Sequence, residues 1–260
     1  MLDVAATIDA LVEHPSQTAI LADYDGSLAP IVDRPEDAVA LPATVEVLGR
    51  LVGRVRRVAI VSGRPVEYLV QHLPVPGVVL SGLYGMEHVH HGVRSVDPRV
   101  EPYVAAVAAA AGEAERRLPD VIVERKAGVS VTLHWRTAPH RADDVRVVAA
   151  ALARQHGLHE LPSRYAVELR PPIPVDKGTA VDTLVAGCAV AAFAGDDTGD
   201  LPAFAALARA RDCGRLACAV RIGVRSPEMP DDLPGAVDCL VDGPAGLLTL
   251  LDAVATRLER

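Results

Sequence analysis

Residues 19–30 read A-I-L-A-D-Y-D-G-S-L-A-P, and the fold turns on how this stretch is read. Ala19 to Ala22 is a short apolar run of the kind that makes a buried strand. It stops in two aspartates, Asp23 and Asp25, followed by Gly26. On an extended backbone the two acids point to the same side, roughly 7 Å apart, and so face one site at the strand's end. Two such carboxylates repel each other, which calls for a cation or a shared proton. Gly26 lets the chain turn away sharply and lets a ligand approach the backbone. An acidic surface turn is the other reading that this stretch allows by itself.

The rest of the chain narrows the choice. Its 260 residues suit one large domain or a core with a smaller one, and half of them are apolar, ample for a real core. A net charge of −8 argues against nucleic acid as a partner. One Trp, five Tyr and two Phe also leave little for base stacking. Apolar runs such as Val104 to Ala111 fall short of the ~20 residues of a membrane span. No basic, apolar leader opens the chain, and Cys188, Cys213, Cys218 and Cys239 show no C-x-x-C spacing. They read as reduced core thiols, and the expectation is a cytoplasmic protein away from membranes.

On either side of the acidic turn the pattern is βαβ. A helix over Asp3–His14 precedes the Asp23 strand, and a proline-bearing loop runs from Tyr24 to Leu41. A helix from Pro42, a strand over Val58–Val61, a helix from Pro65 and a strand over Val78–Leu80 follow, then a glycine-punctuated hairpin over Ser81–Ser95. From about Arg99 the rhythm changes: a helix over Val100–Leu118, strands over Val121–Arg125 and Val129–Trp135, a helix over Ala142–His156, and a strand over Tyr165–Arg170. That order makes an α+β unit with antiparallel pairing. Pro171-Pro172-Ile173-Pro174 is its stiff exit. The first rhythm then resumes with a helix over Lys177–Gly187, a strand over Ala189–Ala194, a helix to Arg211, strands over Leu216–Val224 and Val237–Val241, and a helix over Ala245–Arg260. An α/β core is thus interrupted at about residues 96–171.

In a parallel α/β sheet, ligands gather beyond the carboxyl ends of the strands. The most polar strand ends are Asp23-Tyr24-Asp25-Gly26, Ser62-Gly63-Arg64 and Gly195-Asp196-Asp197; Lys177 opens a helix just before Gly178. They offer a carboxylate nucleophile, a second carboxyl, a hydroxyl with backbone N–H groups, an ammonium, and more carboxylates for a metal. Phosphoryl transfer through an acyl phosphate needs that set.

These four segments resemble the four motifs of the haloacid dehalogenase (HAD) superfamily of phosphatases, with Ser27 where D-x-D-G-T has threonine. D-Y-D-G-x-L-A-P-I, V-S-G-R-P and G-L-Y-G-M-E-H, then V-E-R-K, H-W-R and V-E-L-R-P before D-K-G, resemble the trehalose-6-phosphate phosphatase family more narrowly. The resemblance implies a Rossmann-like α/β core of HAD type over 1–95 and 172–260, with an α+β cap over 96–171. It implies Mg²⁺-dependent hydrolysis of a sugar phosphate, and a functional link to trehalose-6-phosphate synthase. Another sugar phosphate, or an inactive partner of a sugar synthase, are the alternatives.

Asp23 is then the nucleophile, and Asp25 the acid that protonates the leaving oxygen and later activates water. Ser62 and Lys177 bind phosphate. Asp23, the backbone carbonyl of Asp25, and Asp196 hold Mg²⁺. By resemblance, Glu124, Lys126 and Glu168 in the cap bind sugar hydroxyls, with Arg64 contributing from the core. Alternating charges on a strand otherwise read as its solvated face. Asp197 and Asp200 are each either an outer acceptor or a helix cap. Where the family reads G-D-D-x-T-D-E, Gly199 and Leu201 replace threonine and glutamate.

Overall fold

The structure is a computed structural model that describes residues 3–163, 165–227 and 229–260. In chain order, α1 (Val4–Val12), β1 (Thr18–Ala22), α2 (Thr44–Leu51), β2 (Arg57–Val61), α3 (Val66–His72), β3 (Val79–Gly82), β4 (Glu87–His90) and β5 (Val93–Val96) come first. Next are α4 (Val104–Arg117), β6 (Ile122–Lys126), β7 (Ser130–His134), α5 (Ala142–His156), β8 (His159–Ser163) and β9 (Ala166–Arg170). The chain ends in α6 (Lys177–Leu184), β10 (Val190–Gly195), α7 (Leu201–Asp212), β11 (Cys218–Val224), α8 (Leu233–Ala236), β12 (Cys239–Val241) and α9 (Gly243–Leu258). Two compact units result: Met1–Ser95 with Val175–Arg260, and Val96–Pro174.

The first unit holds a sheet ordered β12-β11-β10-β1-β2-β3-β4-β5. Its strands from β12 to β3 run parallel, and β4 turns antiparallel to β3. β1 lies in the middle, buried along its whole length, which is why it is apolar without alternation. The two-residue period sorts its side chains between two cores. Ile20 and Ala22 pack with Leu11 of α1, Leu48 of α2, Leu69 of α3 and Leu250 of α9. Ala19 and Leu21 face the other way, with Val181 of α6 and Phe204 of α7. Helices thus cover both faces, the doubly wound α/β arrangement that the βαβ rhythm implies.

The second unit is α+β. Its sheet is ordered β6-β7-β9-β8, all antiparallel. Val131, Leu133, Val167 and Leu169 on one face pack against Val107 and Ala111 of α4 and Val145 and Leu152 of α5.

Three expectations are corrected. β8 is a strand that the sequence pattern hid: H-E-L-P-S has no apolar alternation and carries Pro162. Proline is tolerated there because β8 is at the sheet's edge. The first helix of this unit starts at Val104, and Pro98–Tyr103 forms a 3₁₀ segment instead; Pro102 has no N–H for the α-helical ladder. Cys188 and Cys239 are buried free thiols, but Cys213 is exposed at the polar end of α7, 3.4 Å from Arg215 Nε. Among the described residues no helix is long and apolar enough to cross a membrane.

Candidate active site

Parallel pairing puts the carboxyl ends of β10, β1 and β2 side by side: Ala22 pairs with Ala194 on one flank and Ile60 on the other. The next residues, Asp23, Asp196 just past Gly195, and Ser62, therefore leave the sheet at one edge. The Asp23 amide still donates to Ala194 O at 2.8 Å, so its position is fixed by the ladder. Lys177 arrives from another direction. Asp176 caps α6 by accepting from the Thr179 amide at 2.8 Å, while the Asp176 amide donates to Thr179 Oγ1 at 3.0 Å. This reciprocal cap sets Lys177 in the first turn.

Lys177 Nζ lies 2.9 Å from Asp23 Oδ1 and 2.7 Å from Asp200 Oδ1, and all three residues are buried. Asp200 is the residue whose place the sequence left open between two roles. Its second oxygen accepts from the Asp196 and Asp197 amides at 2.8 and 3.1 Å. One carboxylate thus ties the Lys177 ammonium to the turn that presents Asp196. Asp197 caps that turn by accepting from the Gly199 amide at 2.8 Å.

Asp196 is buried, and its Oδ1 has no hydrogen-bond partner among the described residues. Ser226, in the loop after β11, hydrogen-bonds the Asp196 side chain. No motif announces Ser226; the signal that could have found it is its place beyond the carboxyl end of the strand next to β10. Gly26 closes the other side. It has φ +78°, and a Cβ there would sit 2.1 Å from Asp196 Oδ2. No residue with a side chain fits that position.

Carboxylate oxygens of Asp23, Asp196 and Asp200 all lie within 4.8 Å of one another. Burial pushes the Asp23 carboxyl well above its usual range against the pull of Lys177, and Asp200 and Asp196 add to the rise. Asp196 is pushed up to about 8, by burial first and then by Asp200 and Asp197. Burial alone would lower the Lys177 ammonium, but Asp200 and Asp23 outweigh it and hold it well above its ordinary value. Three clustered carboxylates beside one ammonium, with a buried Asp196 oxygen that lacks a donor among the described residues, fit a hard divalent cation.

Ser62 is buried, and its Oγ accepts from the Arg64 amide at 3.1 Å. That turn leaves the hydroxyl proton to donate elsewhere. The Asp25 side chain stands apart from the Asp23 cluster, gripped by Arg64 at 2.9 and 2.7 Å.

Glu124, Lys126 and Glu168 belong to the second unit. They share the sheet face opposite its apolar core, where Glu124 pairs with Thr132 and Thr132 with Glu168. A solvated face would expose them, yet Lys126, Thr132 and Glu168 are buried. Lys126 Nζ lies 2.9 Å from Glu168 Oε2, Thr132 Oγ1 donates to the same oxygen at 3.4 Å, and Glu168 Oε1 is buried without a hydrogen-bond partner among the described residues. Glu124 Oε2 lies 2.8 Å from His134 Nε2.

Comparison with known proteins bears on the family and the fold. The family model described as trehalose-phosphatase matches residues 21–228. A trehalose-phosphate phosphatase of Mycobacterium avium is 30% identical over 260 residues, covering 95% of this chain and 63% of that protein. The chain spans between about half and two thirds of the length of the curated relatives it matches. Among solved structures, the C-terminal domain of a C. albicans trehalose-6-phosphate phosphatase superposes with a TM-score of 0.79 at 19% identity, covering 98% of this chain and 97% of that one. A phosphatase of the haloalkanoate (HAD) superfamily from Bacteroides thetaiotaomicron gives 0.55 at 16%, covering 91% and 94%. At those identities the structural likeness speaks for the fold.

Proposed function

Because the chain belongs to the trehalose-phosphatase family, we propose that it hydrolyses trehalose 6-phosphate to trehalose and phosphate through an aspartyl phosphate on Asp23. The observation that carries this reading is the Asp23 carboxylate at the end of the central strand, 2.9 Å from a buried Lys177 ammonium and inside a carboxylate cluster. An Asp23 oxygen attacks phosphorus, the bond to the sugar oxygen breaks, and that oxygen takes a proton from Asp25. Water then attacks the aspartyl phosphate, its proton passes to Asp25, and phosphate leaves. Lys177 neutralises charge between Asp23 and the phosphoryl group, and the Ser62 hydroxyl donates to a phosphoryl oxygen. Asp23, Asp196 and the Asp25 main-chain carbonyl would hold a divalent cation, taken as Mg²⁺, which supplies charge neutralisation for the phosphoryl oxygens. Glu124, Lys126 and Glu168 hold sugar hydroxyls, and the Glu168 oxygen that lacks a donor among the described residues supports that role for it. The enzyme acts in the cytoplasm on a substrate supplied by a trehalose-6-phosphate synthase.

Phosphate release from a panel of sugar phosphates, with and without Mg²⁺, tests this reading. Trehalose 6-phosphate is the expected best substrate, with release abolished by excess EDTA. Faster turnover of another sugar phosphate would replace the substrate, and full activity in EDTA would remove the cation.

Glu168 separates the sugar from the chemistry. Glu168→Gln keeps the size and removes the charge from its hydrogen bonds, which are worth about 1.5–3 kcal/mol. The expected fall in kcat/KM for trehalose 6-phosphate is roughly 10–150-fold. An aryl phosphate, lacking the sugar, should be hydrolysed nearly as before. Equal losses on both substrates would place Glu168 in the fold or the catalytic machinery.

The altered last motif gives a further expectation. A Cβ at Gly199 would lie 3.1 Å from Asp197 Oδ1, so threonine fits with a small shift of that carboxylate. Gly199→Thr with Leu201→Glu should lower the midpoint of Mg²⁺ activation by about 10-fold, since groups around the ligands tune affinity by 10–100-fold. An unchanged midpoint would mean that Asp200 and Ser226 already supply that support.

A further inference from the structure

The family resemblance sends Arg64 to the sugar, but its guanidinium donates to Asp25. Nε donates to Asp25 Oδ2 at 2.9 Å and Nη2 to Oδ1 at 2.7 Å, the two parallel bonds of a guanidinium fork. The remaining nitrogen, Nη1, donates to Pro35 O at 2.7 Å. The guanidinium carbon lies 4.6 Å from the centre of the Tyr68 ring, within cation–π range. Tyr68 is itself fixed: its hydroxyl donates to Ala38 O at 2.5 Å, and its ring stacks on His72 and stands edge-on to Tyr24. The Tyr24 hydroxyl donates to the same Ala38 carbonyl at 2.9 Å and accepts from the Ala40 amide at 3.1 Å. The Arg64 side chain is 10% exposed and that of Asp25 38%. The anchored, buried partner thus holds the more exposed one.

We propose that Arg64 is a positioning residue for Asp25 and acts on the reaction through it, with Tyr68 as the platform that orients the guanidinium. The inference rests on the reading that Asp25 handles the proton in both half-reactions. A group that must meet the leaving sugar oxygen and then the attacking water needs a fixed direction, and displacement by about 1 Å can cost 100-fold in rate. The fork supplies that direction by engaging both carboxylate oxygens at once. Lysine in its place would keep the charge and lose the geometry.

The test is the pre-steady-state hydrolysis of 4-nitrophenyl phosphate with Mg²⁺ by wild type, Arg64→Lys, Asp25→Asn and the double variant. Nitrophenolate leaves without a proton, so transfer to Asp23 persists and the defect falls on hydrolysis of the aspartyl phosphate. Each single variant should release a burst of one equivalent of nitrophenolate, followed by turnover slowed about 100-fold in Arg64→Lys. The double variant should be no slower than Asp25→Asn, because the two act as one unit. Multiplying losses in the double variant would mean that Arg64 acts independently of Asp25. A raised KM for trehalose 6-phosphate with aryl phosphate untouched would make Arg64 a sugar contact. Either result overturns the proposal. Should Arg64→Lys melt well below wild type, Tyr68→Leu is the second variant; it should show the same burst with turnover slowed about 10-fold, and unchanged turnover in the folded variant overturns the proposal as well. A wild type without Asp23-dependent turnover would overturn the phosphatase reading itself, and this inference with it.

Discussion

Asp23→Asn is expected to lower turnover of trehalose 6-phosphate by at least about 10⁴-fold, in line with the loss of other enzyme nucleophiles, while the protein stays folded. The amide cannot attack phosphorus, and neither Asp200 nor Asp25 is free to replace it. Asp200 has its two oxygens committed to Lys177 and to the Asp196 and Asp197 amides. The Asp25 carboxylate is held by Arg64. Stability should not suffer. Burial and the neighbouring acids already push the Asp23 carboxyl upward, so a neutral side chain of the same shape removes an electrostatic cost. Lys177 keeps Asp200 as a partner at 2.7 Å. A melting curve and steady-state kinetics on the purified variant check both halves. Retention of more than about 1% of wild-type turnover, against the 10⁴-fold loss expected, would assign the nucleophile to another residue.

Lys177→Met should damage both catalysis and the fold. In the wild type the buried ammonium touches Asp23 and Asp200, and both carboxylates are buried too. Removing one partner of a buried ion pair leaves an uncompensated charge and costs about 3–5 kcal/mol. For a protein of this size that is a fall in melting temperature of roughly 6–20 °C. Methionine fills much of the lysine's volume, so the loss reports charge more than packing. Turnover should fall by about 100–1,000-fold, the scale seen when one preorganised stabiliser of transition-state charge is lost. Added Mg²⁺ should raise the variant's melting temperature more than it raises the wild type's, because the cation then meets more unbalanced carboxylate. An unchanged melting temperature would show that Lys177 is not the counter-charge that its geometry implies.

Much of this site was legible in the chain because the relevant residues follow strands. The run Ala19–Ala22 is buried along its length, and a buried parallel strand that ends in Asp23 exposes that acid at the sheet's carboxyl edge. The same logic reaches Asp196 after β10 and Ser62 after β2. What local pattern does not carry is the direction of long side chains. Arg64 and Asp25 are 39 positions apart, and nothing in either stretch says that the guanidinium turns to the acid. Asp200 was ambiguous for a related reason. Its role depends on a 3₁₀ turn over Thr198–Asp200 that folds its carboxylate back onto the Asp196 and Asp197 amides. Ser226 sits in a loop that has no periodicity to read. β8 was missed because edge strands need no apolar face and tolerate proline. Lys126 and Glu168 alternate like solvated strand residues, and only the structure reveals that they are buried against each other.

The central claim is that Asp23 carries the phosphoryl group, and trapping that intermediate tests it most directly. The protein would be mixed with phosphate-labelled trehalose 6-phosphate and Mg²⁺, quenched in acid within milliseconds, reduced with borohydride and digested for mass spectrometry. Borohydride converts an aspartyl phosphate to homoserine, so the account predicts homoserine at position 23 and aspartate at positions 25, 196 and 200. Homoserine at another aspartate, or full turnover with no trapped label and position 23 unmodified, would contradict it.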